Sequence, residues 1–350
     1  MRFQDLDDSF RAELWASLAL LNVEGIGAAR RKRLVDRFGS PYQAVLAAKS
    51  WAVSGLGISQ QSVNQFQSDR WRDKAKEDWE RIKKSQERIL LYSDPRYPKA
   101  LKQTADAPLF LFHRGDVSLL GNPSVAVVGA RKCTEEGMAV AVKIVRGLSD
   151  AGITAISGLA LGIDRIVHLA GLDGVGSSIA VLGCGIDVAY PKVNLDLYRK
   201  MEEGGLLLSE YLPGTIPRPE YFPVRNRIIS GLAKAVLVVE AAMRSGTLST
   251  ARHALEQNRD VYAVPGSTLA ETSEGCRELI RRGAGPVFSA EDIIRDLAPV
   301  LRPELFEKAR AAATAGPGAS AGPDAPTAAN AELDARSALK AYLPKEQAAK

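Results

Sequence analysis

At 350 residues, 46% of them apolar and 25% charged, the chain has room for one large domain with one or two small ones. Cys133, Cys184 and Cys276 form no CxxC pair and only three histidines are present, which excludes a disulfide framework and a His-rich metal site. No apolar run reaches the roughly eighteen residues that span a bilayer, and the charged N-terminus is unlike a secretory signal, so a cytoplasmic protein without membrane attachment is expected. The formal net charge of +5 permits a polyanionic partner without requiring one.

Charge clusters locally. Residues 24–37 hold five basic side chains (Arg30, Arg31, Lys32, Arg33, Arg37) against Glu24 and Asp36, and residues 211–234 hold four (Arg218, Arg225, Arg227, Lys234) against Glu220.

In chain order, residues 1–88 read as a small helical domain. Apolar spacing of three and four predicts helices over 10–21, 28–38, 41–48, 59–67 and 71–88. Between the first two, Gly25-Ile26-Gly27 matches a helix–hairpin–helix turn, a motif that commonly aims backbone amides at a nucleic-acid phosphate; Gly55-Leu56-Gly57 is a degenerate second copy. A bridging stretch, 89–121, contains Pro95, Pro98 and Pro108 and one short strand at 109–113.

From about 123 to 297 short apolar strands alternate with helices. Strands are predicted at 125–129, 153–157, 178–182, 206–209, 235–239 and 261–264, and helices at 134–151, 163–172, 195–203, 247–257 and 276–282. Runs such as Val125-Ala126-Val127-Val128 are apolar on both faces, as in a parallel sheet covered by helices on each side. The fold class is α/β: a doubly wound, Rossmann-like, mostly parallel sheet over 89–299. Residues 311–330 are almost all Ala, Gly, Pro, Ser and Thr and read as a flexible linker, followed by one short helix at 333–343, so 300–350 forms no complete domain.

In such a sheet ligands bind outside the carboxyl ends of the strands. Small and polar residues recur there: Gly129-Ala130-Arg131-Lys132, Ser157-Gly158 through Gly162 and Asp164, Gly183 to Asp187, Ser245-Gly246-Thr247, and Pro265-Gly266-Ser267. Glycine admits close approach of a ligand and helix N-termini favour phosphate. The first turn carries Arg131 where a dinucleotide site needs a second glycine, which argues against a nicotinamide or flavin cofactor. Asp164 and Asp187 are read as caps before general acids or bases, His168 and His253 as packing residues, and Cys184 as a small apolar filler.

Residues 222–232, Phe-Pro-Val-Arg-Asn-Arg-Ile-Ile-Ser-Gly-Leu, say most about function. Guanidiniums pair with phosphate and an exposed ring stacks on a base. Arg225 and Arg227 flank Asn226, Phe222 lies four residues after Arg218, and Ile228, Ile229 and Leu232 anchor the start of a helix; the plainer alternative is a Pro-stopped loop with solvated arginines.

Together these residues resemble the DNA-processing protein A family (DprA, also called Smf) over roughly 10–297. The resemblance rests on Val128-Gly129-Ala130-Arg131, the 157–164 and 183–187 turns, Tyr190-Pro191, the 222–231 stretch, Ser245 to Arg252 and Ala263 to Gly266. It implies an extended Rossmann-like domain that binds single-stranded DNA, protects incoming DNA and loads RecA recombinase in natural transformation. It also implies a homodimer and an N-terminal domain of sterile-alpha-motif type, with no catalytic residue, cofactor or metal. By the resemblance Arg131 grips phosphate, Phe222 stacks on a base, and Arg225 and Arg227 line the pocket. Gly129, Lys132, Ser157, Gly158, Gly162, Asn226, Ser245, Gly246 and Thr247 complete the expected site, with Arg218 where several relatives carry a basic residue. Many relatives end in a winged-helix module, whereas only the expected linker and short helix are read after Pro299 here, and Arg277 stands where relatives usually carry Asn. The rival readings are a protein scaffold and an enzyme that cleaves the N-glycosidic bond of nucleoside monophosphates. Relatives of the latter kind carry Gly-Gly-x-Gly-Thr-x-x-Glu, and Thr250 stands where that glutamate belongs.

Overall fold

A computed structural model describes residues 1–300, so the expected linker at 311–330 and helix at 333–343 lie outside the described residues. The chain divides into two compact units. The first comprises Met1–Arg114, Leu182–Val188 and Leu208–Tyr221; the second comprises Gly115–Val181, Ala189–Leu207 and the chain from Phe222 onward. The helical unit therefore continues past 88 and takes in two segments from much later in the chain.

In the first unit the helices are α1 (Asp8–Leu21), α2 (Ala28–Phe38), α3 (Pro41–Leu46), α4 (Gln60–Gln67) and α5 (Trp71–Ser85). Their starts follow local chemistry: Asp7, Ser40 and Ser59 each accept a hydrogen bond from a backbone amide of the first turn, and Pro41 occupies a first-turn position of α3. The core is aromatic. Phe66 stacks on Trp71 at 5.4 Å between centroids, Trp15 lies 5.8 Å from Trp71, and the Trp51 and Trp71 indoles donate to the Ala44 and Phe66 carbonyls at 2.7 and 3.0 Å.

Helix α5 stops at Ser85 rather than 88, because Gln86 adopts the left-handed conformation (φ 55°). The chain then forms β1 (Arg88–Leu91), the short helix α6 (Lys99–Lys102) and β2 (Phe110–Gly115). Strands β1 and β2 pair antiparallel with Leu90 opposite Leu111; β1 was not expected from the sequence.

The second unit follows the alternation read from the sequence and adds a helix at Tyr221–Leu232, a strand at Gly285–Pro286 and a helix at Ala290–Leu297, which the sequence did not delimit. Its elements are β3 (Ser124–Val128), α7 (Glu135–Asp150), β4 (Thr154–Ser157), α8 (Ile163–Leu172), β5 (Ser178–Val181) and α9 (Leu195–Gly204). β6 (Leu206–Ser209) crosses between the units, and the second unit continues with α10 (Tyr221–Leu232), β7 (Ala235–Val238) and α11 (Thr247–Glu256). It closes with β8 (Asp260–Ala263), α12 (Glu274–Arg281), β9 (Gly285–Pro286) and α13 (Ala290–Leu297). Strands β5-β4-β3-β7-β8-β9 lie in that order, and every pair with a described register is parallel, with Ile156 opposite Ile179 and Val127 opposite Leu237. Every residue of β3, β4, β5 and β7 is buried, as a sheet covered on both faces requires. From β3 the chain proceeds to β4 on one side and returns as β7 on the other. This reversal of strand order is the topological switch point, and in open α/β sheets ligands bind beside it, outside the carboxyl ends of the strands.

Candidate nucleic-acid interface

Two of the loops at this edge are filled by the protein's own carboxylates. Glu240, just after β7, is buried and accepts a hydrogen bond from Thr134 N at 3.0 Å at the N-terminus of α7. A Cβ on Gly137 in that first turn would sit 2.5 Å from the same carboxylate. The position that takes a pyrophosphate in dinucleotide folds is thus already occupied by the protein's own carboxyl side chain. After β4, Asp164 accepts from Gly158 N at 3.1 Å and Ala160 N at 3.4 Å, a capping role. Burial raises the Asp164 pKa, opposed by the nearby Arg225 guanidinium and by hydrogen bonds from Ser157 and those amides.

The glycines of these turns serve packing. A Cβ on Gly129 would lie 2.6 Å from Ile163, and one on Gly158 would lie 2.5–2.8 Å from the Arg225 guanidinium. Gly162, at φ +72°, lies against the Ala130 and Arg131 carbonyls. Gly246 differs: it is exposed with open space above it, while Thr247 Oγ1 beside it donates to Gly129 O at 3.0 Å and Ser245 Oγ donates to Thr247 Oγ1 at 2.9 Å. These bonds tie the start of α11 to the loop after β3.

The 222–232 stretch is no solvated loop but lies wholly within a helix, with buried Ile228, Ile229 and Leu232 in its second half. Helix α10 starts at Tyr221, with Pro223 in its first turn, where a missing amide proton costs nothing. Helical geometry then places Arg225 and Arg227 inside, 4% and 6% exposed. Arg225, expected to line a pocket, is an internal brace: its Nη1 donates to Gly158 O at 2.8 Å and to Val181 O, and its Nε donates to Asn226 Oδ1 at 3.2 Å. Asn226 Nδ2 donates to Ser249 Oγ at 2.9 Å, joining α10 to α11. Arg227 is likewise buried away from solvent, with its backbone carbonyl accepting from Gln257 Nε2 at 2.9 Å.

Phe222 stays at the surface of this assembly, half-buried in the first turn of α10. The Arg131 guanidinium lies 5.7 Å from its ring centroid, that of Arg225 lies 5.9 Å away, and the Tyr190 ring is 5.6 Å away at 35°. Arg131 and Lys132 are exposed. Tyr190 joins this group although the sequence marked it only as part of a motif; its signal was an exposed aromatic before a proline in a strand-end loop. Arg218 belongs to the first unit, where it lies 5.9 Å from the Tyr221 ring, and Tyr221 in turn stacks on Tyr211 at 4.5 Å.

The remaining polar residues are structural. His168 Nε2 accepts from Leu159 N at 3.1 Å, so Nδ1 carries the proton and donates to Ser178 Oγ at 2.8 Å; burial lowers its pKa to about 3. In the first unit Asp187 accepts from Gly214 N at 2.5 Å, and Cys184 is buried with its thiol donating to the Val188 carbonyl at 3.2 Å. His253 pairs with Glu256 at 3.3 Å. Arg277 donates to the Ser267 and Ala270 carbonyls and braces the loop after β8. Among the described residues no group of three or more His, Cys, Asp or Glu side chains is placed to hold a metal, and no helix is long and apolar enough to cross a membrane.

Comparison with known proteins agrees with this architecture. DNA processing protein DprA of Streptococcus pneumoniae is 46% identical over 203 residues, which cover 58% of this chain and 72% of that protein. Protein Smf of Synechocystis is 35% identical over 287 residues, covering 81% of this chain and 72% of that one. The X-ray structure of the S. pneumoniae protein superposes with a TM-score of 0.68 at 36% identity, covering 79% of this chain and 95% of that one. DNA processing protein A of Helicobacter pylori, described for its single-stranded DNA binding mode, gives a TM-score of 0.56 at 29% identity over 62% of this chain and 99% of that one. The family model for DNA recombination-mediator protein A matches residues 88–298, the span that builds β1 to α13, and the chain belongs to that family, the DprA/Smf proteins.

Proposed function

We propose that the chain binds single-stranded DNA at the loop edge of the second unit, in DNA processing during natural transformation. The observation that carries this reading is the surroundings of Phe222. A half-buried ring stands beside a second aromatic, Tyr190, with the exposed Arg131 guanidinium 5.7 Å from its centroid. An unpaired base needs a face to stack on and a cation within reach of its backbone, and both are present. Lys132 adds a second exposed cation, and exposed Gly246 lets a strand's backbone come close to the start of α11. Gly129, Ser157, Gly158, Gly162, Arg225, Asn226, Arg227, Ser245 and Thr247 shape the loops that present these groups. Arg218 is a separate cationic and aromatic surface of the first unit.

The H. pylori relative, described by its single-stranded DNA binding mode, supports the ligand. Asp164 and Glu240 are engaged as caps and buried Thr250 replaces the glutamate of nucleotide hydrolases, which supports binding without bond cleavage. Family membership supports the wider role: a cytoplasmic homodimer that protects the incoming strand and loads RecA onto it.

The test is a titration of oligo-dT, duplex and mononucleotides across ionic strength. Oligo-dT is expected to bind with a strong salt dependence and AMP and CMP weakly and unchanged. Release of free base from either nucleotide would favour the hydrolase reading.

A further inference from the structure

We propose a second nucleic-acid surface, on the first unit. The exposed arginine stripe of α2, Arg30, Arg33 and Arg37, together with the adjacent Gly55–Gly57 turn, binds the phosphate backbone of duplex DNA. It does not rest on the reading of the Phe222 site, which lies in the other unit.

The three arginines are spaced by three and four residues, so they share one face of an 11-residue helix and form a row about 10 Å long. All three are exposed. Among the described residues none pairs with a carboxylate. Arg30 Nη1 donates to Gly25 O at 2.8 Å, Arg33 Nε donates to Ala29 O at 3.4 Å, and the Arg37 side chain makes neither a hydrogen bond nor an ion pair among the described residues. The one acid of the helix, Asp36, is taken up by buried Lys32 and by the Tyr92 hydroxyl at 3.4 Å. Glu24, in the preceding turn, is the only other acid of the 24–37 segment. Concentrated charge without an acidic partner among the described residues is a feature that folding does not explain, because surface arginines gain little stability from such a row.

The surroundings favour a backbone ligand. Gly55 and Gly57 have φ +73° and +71°, nothing packs above Gly27 or Gly55, and Arg33 Nη1 reaches to 3.8 Å of a Gly57 Cβ position. The bare turn and the arginine thus form one continuous surface. Among the described residues no aromatic ring lies within cation–π distance of the three guanidiniums, in contrast to Arg131, so an unpaired base finds no platform here. A duplex hides its bases and presents about one charge per 1.7 Å of axis, so a rigid row of this length faces several phosphates at once.

The experiment compares the full chain, the Arg30→Ala/Arg33→Ala/Arg37→Ala variant and Arg131→Ala for binding of a short blunt duplex, oligo-dT and phosphatidylserine vesicles over a salt series. The triple variant is expected to lose about ten-fold or more in duplex affinity, with the salt slope reduced by roughly 0.9 per arginine, while oligo-dT binding changes little. Arg131→Ala is expected to show the reverse pattern. Arg37→Glu alone, at a side chain that makes no bond, repeats the duplex defect without risk to folding. Unchanged duplex binding in the triple variant, no duplex binding by the native chain at low salt, or a defect confined to vesicles overturns the proposal. Failure of oligo-dT binding with an intact α2-dependent duplex signal would instead overturn the Phe222 reading.

Discussion

Arg225 Nη1 donates to the Gly158 carbonyl at 2.8 Å, and the same guanidinium occupies the space that a Cβ on Gly158 would need. The charge lies within the sheet edge, near the buried Asp164 carboxyl, whose pKa burial raises and this guanidinium pulls back down. Arg225→Ala leaves two carbonyls and that carboxyl without their cation, so it is expected to cost about 3 kcal/mol or more of stability. Urea denaturation checks this; a cost near zero would show that Arg225 is no brace. Gly158→Ala should destabilise in the same assay because the guanidinium must shift.

Arg131→Ala and Lys132→Ala remove exposed cations, so stability should stay within about 0.5 kcal/mol of the native value. Each should lower the salt slope for oligo-dT by roughly 0.7, and a wild-type slope near zero would rule out the electrostatic account.

Phe222→Ala removes the stacking face that Tyr190 and Arg131 flank. Oligo-dT binding should weaken by about 1–3 kcal/mol with the salt slope unchanged, as anisotropy titrations would show. Affinity equal to the native chain would remove Phe222 from the site.

Stability should fall in mild acid. Burial lowers the pKa of His168 to about 3 and of His113 to about 4, against 6.5 in the unfolded chain. Below pH 6.5 the unfolded state binds protons that the folded state refuses, so stability is full above that pH and is lost as the pH falls toward 4 and then 3. At about 1.4 kcal/mol per pKa unit the two sites together amount to several kcal/mol. Asp164, with its pKa raised, works in the opposite sense and offsets part of the loss. Urea midpoints between pH 7 and 4 should fall, and His113→Asn should flatten that slope.

Cys133 should react slowly. Burial, with Glu240 nearby, pushes its thiol up to about 11, and burial pushes Cys276 to about 12, so neither supplies thiolate at neutral pH. Alkylation of the folded chain at pH 7.5 is expected to lag far behind that of the urea-unfolded chain.

The sequence by itself determined the alternation of strands and helices from 123 to 282 apart from the bounds of α10, because period two or a double-faced apolar run and period 3.6 are local properties; the two-residue β9 and the helix α13 were not read from it. It favoured a capping role for Asp164 and carried the family motifs for the same reason, whereas the Asp187 carboxyl accepts from Gly214, 27 positions later in the chain. It did not reveal β1, because the helix before it ends at Gln86 in a left-handed turn that carries no glycine signal. Nor did it reveal that residues 182–188 and 208–221 join the N-terminal helices in one unit. The arginines of α10 mark the limit most clearly. Local sequence showed their charge and spacing, but Arg225 turns inward toward Val181 and Gly158, which stand 44 and 67 positions earlier in the chain. Only the packed sheet brings those carbonyls and Asp164 together, and only that packing separates a guanidinium used for support from Arg131, left exposed beside Phe222.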